Sequence, residues 1–226
     1  MEENEVKQEN SVNTEELKNE TMDTVKQVKE TIKNVDVKEE AKATKGFVLE
    51  MIKNPLDKIK EIANDSTNKY FKTAIVLVII WAVVALLGVI SFKTFSFSLL
   101  GSTLLRYVKI ILAPVATVIA MSLVIFLMNK KSKKSLVTVL TTVTATELPV
   151  IVADVISLLT IFSYNAVSIT SRISGLCSVI STVLLYFAIR ELYNEENEKT
   201  VLKNFVIIQA LYIVLSLVIS YLGIYI

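Results

Sequence analysis

"LVTVLTTVTATELPVIVADVISLLTIF", residues 136–162, decides how the rest of the chain is read. At ~20 residues or more a helix crosses a bilayer, and this stretch is apolar or hydroxylated throughout except for Glu147, Pro149 and Asp154 near its middle. An ionisable group at such depth costs about 3 kcal/mol or more, so it faces a bundle interior or a wet cavity rather than lipid. Glu147 and Asp154 are two helical turns apart and share a face, about 10 Å apart along the axis. Pro149 removes one backbone donor and disturbs the carbonyl of Ala145, while the Thr144 and Thr146 hydroxyls stand ready to re-satisfy the freed groups. The expectation is a kinked span with one polar face.

That face has three readings. It holds the bundle together through interhelical hydrogen bonds, helped by Thr138, Thr141, Thr142 and Ser157; it relays protons or ions; or it receives a partner span or a lipid headgroup. Lys109 of the preceding span and Arg172 at the start of the following one are the candidate cations for Asp154, by snorkelling. Glu147 has no cation at its level and is expected to be protonated or hydrogen-bonded to threonines.

Outward from this segment lie four more apolar stretches, Thr73 to Phe92, Leu105 to Met128, Ile173 to Tyr193 and Phe205 to Ile226. Five such stretches with short connectors make an all-α membrane protein with five transmembrane helices. The 226 residues are 53% hydrophobic, with a mean hydropathy of +0.55, which is not the composition of an ordinary soluble domain. The opening MEENEV lacks the basic and short apolar regions of a signal peptide, so an internal span is expected to drive insertion.

Lysines and arginines near the span ends set the orientation. Lys53, Lys58, Lys60, Lys69, Lys72, the NKKSKKS connector with Lys130, Lys131, Lys133 and Lys134, and Arg190, Lys199 and Lys203 fall on one side. Only Lys93, Arg106, Lys109 and Arg172 fall on the other. The N-terminus is therefore expected in the cytoplasm of a cell-membrane protein and the C-terminus outside. The four connector lysines also suit anionic lipid, at about 1 kcal/mol per charge, although topology alone explains them. Phe92, Phe95 and Phe97, with Tyr221 and Tyr225, read as aromatic anchors at the outer interface.

The first 46 residues carry eight Lys against twelve Asp or Glu and read as an acidic tail, disordered or partly helical. Leu17, Thr21, Val25, Val28, Ile32 and Val35 form a narrow stripe over residues 14–37, whose other reading is a coiled-coil partner site. Residues 47–70 form an amphipathic juxtamembrane region. Met51, Ile52, Leu56, Ile59 and Ile62 give it an apolar face, with Lys53, Lys58 and Lys60 on the remainder, as in a helix lying on the inner leaflet. A plain linker to the first span is the alternative. Asn54 followed by Pro55 fits a helix cap and a first helical position, splitting the region into two short helices. Residues 71–226 complete the membrane domain.

The residue kit argues against chemistry. There is no histidine, and the one cysteine, Cys177, sits in an apolar stretch, which excludes the usual zinc sets and the Ser-His and Cys-His nucleophile systems. Neither catalytic residue, metal, cofactor nor nucleic-acid partner is expected.

Three stretches carry a resemblance to the Yip1 family. "FVLEMIKNPLDKIKEI" (47–62) resembles the Asn-Pro amphipathic entry of bacterial Yip1-domain proteins, "KKSLVTVLTTVTATELPVIVADVISLL" (133–159) their third span with its mid-helix Leu-Pro, and "VLLYFAIRELYNEENEKTVLKNFV" (183–206) their fourth span and charged connector. The resemblance covers residues 47–226. It implies a non-enzymatic integral membrane protein that shapes, scaffolds or organises membrane components. Eukaryotic members bind Rab GTPases, and the Asp-Leu-Tyr-Gly-Pro motif of many of them is absent here. Two functions are thus expected to compete: a membrane adaptor with a cytoplasmic or membrane protein partner, and a small proton- or ion-coupled transporter using the acidic face, in which a homo-oligomer supplies the missing half.

Overall fold

The structure, a computed structural model, describes residues 18–31, 33, 37–89, 100–128, 134–161 and 166–221. Among these, the regular elements are all helices. After a helical segment over residues 18–31 come α1 (Val37–Lys53), α2 (Pro55–Ala63), α3 (Phe71–Val89), α4 (Leu100–Met128), α5 (Leu136–Thr146), α6 (Leu148–Ser157), α7 (Ala166–Tyr193) and α8 (Glu198–Tyr221), with a 3-10 turn at Leu158–Ile161.

Four helices, α3, α4, α7 and α8, are long and apolar enough to cross a membrane, and α5 with α6 makes a fifth span if that bent pair is taken as one. The helices outrun the expected spans: α4 begins at Leu100, α7 at Ala166 and α8 at Glu198. Hydropathy marks only the part that lipid covers. The hydrogen-bonded helix continues past it through polar ends such as Glu198 to Asn204.

The kink expected at Pro149 is a break. α5 and α6 meet at 44° across Glu147, and Pro149 stands in the first turn of α6, where a missing donor is tolerated. The Glu147 amide still reaches the Val143 carbonyl at 3.2 Å, and its own carbonyl accepts from Ile151 at 3.0 Å. Thr144 and Thr146 do not rescue Ala145; their hydroxyls go to the carbonyls of Leu140 and Val143.

α5 is the axis of the bundle, packed by α2, α3, α4 and α7, and all its residues except Leu140 are buried. It manages this with alternating Val and Thr because Thr141, Thr142, Thr144 and Thr146 each bond a carbonyl of their own helix. Thr141 and Thr142 donate to the carbonyls of Val137 and Thr138, both at 2.8 Å. Thr141 and Thr142, expected to bond between helices, are thereby spent within one, and Ser157 likewise donates to the Asp154 carbonyl; of that expected set Thr138 alone reaches another segment, at Asp65. What they leave is a smooth, small-residue surface on which neighbours approach closely.

α5 opens at Ser135, whose side chain accepts from the Thr138 amide at 3.1 Å, while Glu20 accepts from the Leu136 amide at 3.0 Å. An acid at a helix N-terminus is favourable for the dipole. The 18–31 segment therefore docks on the bundle, where Val28 joins the cluster of Phe71, Ile75 and Val137. The buried positions here are Thr24 and Thr31, whereas Val25 of the expected stripe is exposed; Leu17, Ile32 and Val35 lie outside the described residues.

Away from this core the spans present large aliphatic side chains outward. Leu176 and Val179 on α7 and Val214 and Leu217 on α8 are each more than half exposed, as a lipid-facing surface requires.

Candidate functional site

Two polar constellations stand out, one at the lysine-rich end of the bundle and one within the spans. The first is a collar made by α1, α2 and the start of α3. Pro55 opens α2 as expected, although the Asn54 side chain makes no cap hydrogen bond. The amphipathic face then divides. Met51, Ile59 and Ile62 are buried in the main core, with α2 packed on α5 and α7. Ile52 and Leu56 remain exposed, at 66% and 46%.

Lys58, expected on the polar face, is 6% exposed. Its ammonium has three donors and three acceptors: Glu50 at 2.6 Å, Glu61 at 2.9 Å and the Tyr70 hydroxyl at 2.8 Å. The Tyr70 hydroxyl in turn donates a short hydrogen bond to Glu61 and accepts from Lys69 at 3.0 Å. Phe47 packs on Tyr70 with ring centroids 5.7 Å apart, and the Lys58 ammonium lies 4.1 Å from the Tyr70 centroid, a favourable cation–π placement. One buried cation thus ties α1, α2 and the head of α3 together.

The electrostatics follow from those partners. Burial pulls the Lys58 ammonium down, but hydrogen bonds to Glu50, Tyr70 and Glu61 outweigh it and hold the group well above the ordinary lysine value. Glu61 is held below the ordinary carboxylate value, first by the Tyr70 hydroxyl and then by Lys58. Asp65 loses to burial but gains more from the Thr67 hydroxyl and the Thr67 and Lys69 amides, ending low as well.

Lys134 joins this end by donating to Asn64 Oδ1 at 2.9 Å, and Thr138 reaches the Asp65 carbonyl. Lys130, Lys131 and Lys133 lie outside the described residues, as do Lys93, Phe92, Phe95, Phe97 and Tyr225.

The second constellation is the acidic face of the third span. Asp154 Oδ2 accepts from the Trp81 indole at 2.7 Å, joining α6 to α3. Neither Lys109, half-buried on α4, nor Arg172, exposed on α7, makes an ion pair with it. Glu147, at the break, has as its polar neighbour not a threonine but the buried Ser181 of α7. Tyr212 of α8 lies within electrostatic reach of Glu147 and beside Thr117 of α4. Each acid therefore links a different pair of helices, and the two do not converge on one site. Among the described residues no group of three or more Cys, Asp or Glu side chains could hold a metal ion.

Sequence reasoning missed Lys58, Tyr70, Trp81 and Ser181. For the collar a signal existed: Glu61 stands three residues after Lys58 and Tyr70 just ahead of a span, a position where a tyrosine hydroxyl wants a polar partner. Trp81, the sole tryptophan, sits inside a span where its N–H needs an acceptor; an acid in another span is the natural one. Ser181 gave no such signal.

No curated protein and no solved structure matches the chain. A family model described as the Yip1 domain matches residues 49–224, from the collar through the last span. The chain is a multi-pass membrane protein and belongs to the Yip1 family.

Proposed function

We propose that this protein is a non-enzymatic membrane adaptor or organiser, with the collar as its docking surface on the cytoplasmic side of the cell membrane. The observation that carries the reading is the divided amphipathic face. Met51, Ile59 and Ile62 fix the collar to the bundle while Ile52 and Leu56, a turn apart across the α1–α2 junction, stay exposed. A pre-ordered apolar surface loses little entropy when a partner binds. Charge supports this side: Lys134 bonds Asn64 beside the lysine-bearing collar, and lysine-rich ends stay in the cytoplasm.

The test is co-purification from the native membrane after chemical crosslinking, comparing the full chain with an Ile52→Asp, Leu56→Asp variant whose melting temperature is unchanged. A defined protein lost with the variant supports the adaptor. An identical set of captured proteins refutes the collar as the docking surface.

A second reading has the 44° break in its favour, since interrupted helices build transport sites. It takes the protein as a proton- or ion-coupled carrier acting through Glu147 and Asp154. Vesicle flux that persists in a Glu147→Gln, Asp154→Asn variant removes it.

A further inference from the structure

On the flank of the collar, α1 and α3 enclose an apolar groove of about 610 Å³. Its α3 wall is Val76, Ile79 and Ile80, residues of the span Phe71–Gly88. Ile79 and Ile80 are exposed, and so are Val83 and Leu87 further along the same helix. The surface that meets the bilayer along α3 therefore runs without interruption into the groove. Val48 and Leu49 line the opposite wall on α1.

Two polar features of that wall point to what occupies it. Lys45 lines the groove, and Phe47, two residues on, packs against Tyr70, the residue before the span. Lys45 and Thr44 are thus within about one helical turn of the level of Tyr70 and the start of the span. Thr44 is 6% exposed, and its hydroxyl is buried with no hydrogen-bond partner, although Thr141 and Thr142 show how readily a helical threonine bonds the carbonyl four residues back. An orphan hydroxyl of this kind is costly and calls for an acceptor.

We propose that the groove holds one acyl chain of a bilayer phospholipid. Its phosphate meets Lys45, an ester carbonyl accepts from Thr44, and the chain runs between Val48 and Leu49 on one side and Val76, Ile79 and Ile80 on the other. Glu40, also on the α1 wall, opposes an anionic headgroup, so its replacement strengthens binding of one. The site differs from the Ile52 and Leu56 surface proposed above and does not depend on it; it depends on the membrane placement of α3.

The experiment reconstitutes the full chain in phosphatidylcholine nanodiscs containing a trace of phosphatidylglycerol with a diazirine on one acyl chain, and maps the labelled residues after photolysis. The groove residues Ile79 and Ile80 are expected to be labelled well above Val214 and Leu217, which face lipid on α8. Val48→Trp, which fills the groove, lowers the Ile79 and Ile80 labelling by about tenfold and leaves α8 labelling unchanged. Thr44→Val and Lys45→Glu lower it, and Glu40→Gln raises it. Groove labelling equal to that of Val214 and Leu217, or unaltered by Val48→Trp in a chain with an unchanged melting temperature, overturns the proposal and leaves only bulk lipid along α3.

Discussion

The Lys58 ammonium on α2 meets the Tyr70 hydroxyl at the head of α3 at 2.8 Å, buried between them and closed by Glu61. This contact turns a short amphipathic segment into a fixed collar. Lys58→Met removes the three-way donor and leaves Glu50, Glu61 and Tyr70 facing one another. The expected cost is about 1–3 kcal/mol, and because the Glu50 and Glu61 side chains are 62% and 49% exposed it falls short of that for a wholly buried pair. Thermal unfolding in detergent reads the loss, with faster proteolysis at the α1–α2 junction. A stability equal to that of the unaltered chain contradicts the lock.

The collar also has an acid limit. Glu61 and Asp65 are both held below their ordinary values in the fold. A depressed acid contributes stability that is complete above its unfolded value and is lost as the pH falls through the folded one. Loosening therefore sets in as the pH drops below about 4.5; on the alkaline side the raised Lys58 keeps its contribution in full up to the ordinary lysine value of 10.5 and loses it only above that. A spin label at residue 52 should become mobile over that acid range. In a Glu61→Gln, Asp65→Asn variant the mobility should no longer change there; the same acid response in that variant sinks the assignment.

Asp154 and Trp81 pin α6 to α3. Trp81→Phe strands the carboxylate and is expected to cost about 1.5–3 kcal/mol, as for hydrogen bonds to charged groups. Asp154→Asn keeps an acceptor and costs less. Since Trp81 is the sole tryptophan, its emission reports the contact directly, and an Asp154→Ala variant with an unshifted emission maximum would count against it.

Pro149 maintains the break in the third span. Pro149→Ala restores the missing donor and should narrow the 44° angle, lengthening the distance between spin labels placed at residues 140 and 155. An unchanged distance assigns the bend to the packing of Glu147 on Ser181 instead.

The spans were legible because hydropathy integrates over many residues and a lipid-facing helix has no other way to be built, so α3, α4, α7 and α8 stand at four of the five apolar stretches that were read and the bent α5–α6 pair at the fifth. The kink at Pro149 was legible for the same local reason. What the sequence hid is pairing across distance. Asp154 finds Trp81 seventy-three positions away, where proximity of charge favoured Lys109 or Arg172. Lys58 looked like one more exposed lysine because burial depends on Glu50, Glu61 and Tyr70 converging, which no periodicity records. The threonines of α5 misled in the opposite sense: their number suggested bonds between helices, and all but Thr138, which reaches the Asp65 carbonyl, bond their own backbone.

The central claim is that one side of the collar is spent inside the molecule and the other is offered outside it. A photoreactive benzoylphenylalanine at position 56, with a second version at position 59, tests this most directly in the native membrane. The account predicts crosslinks from position 56 to another protein and crosslinks from position 59, whose native isoleucine is 0% exposed, only within the chain. Protein crosslinks from both positions, or from position 59 alone, would contradict it.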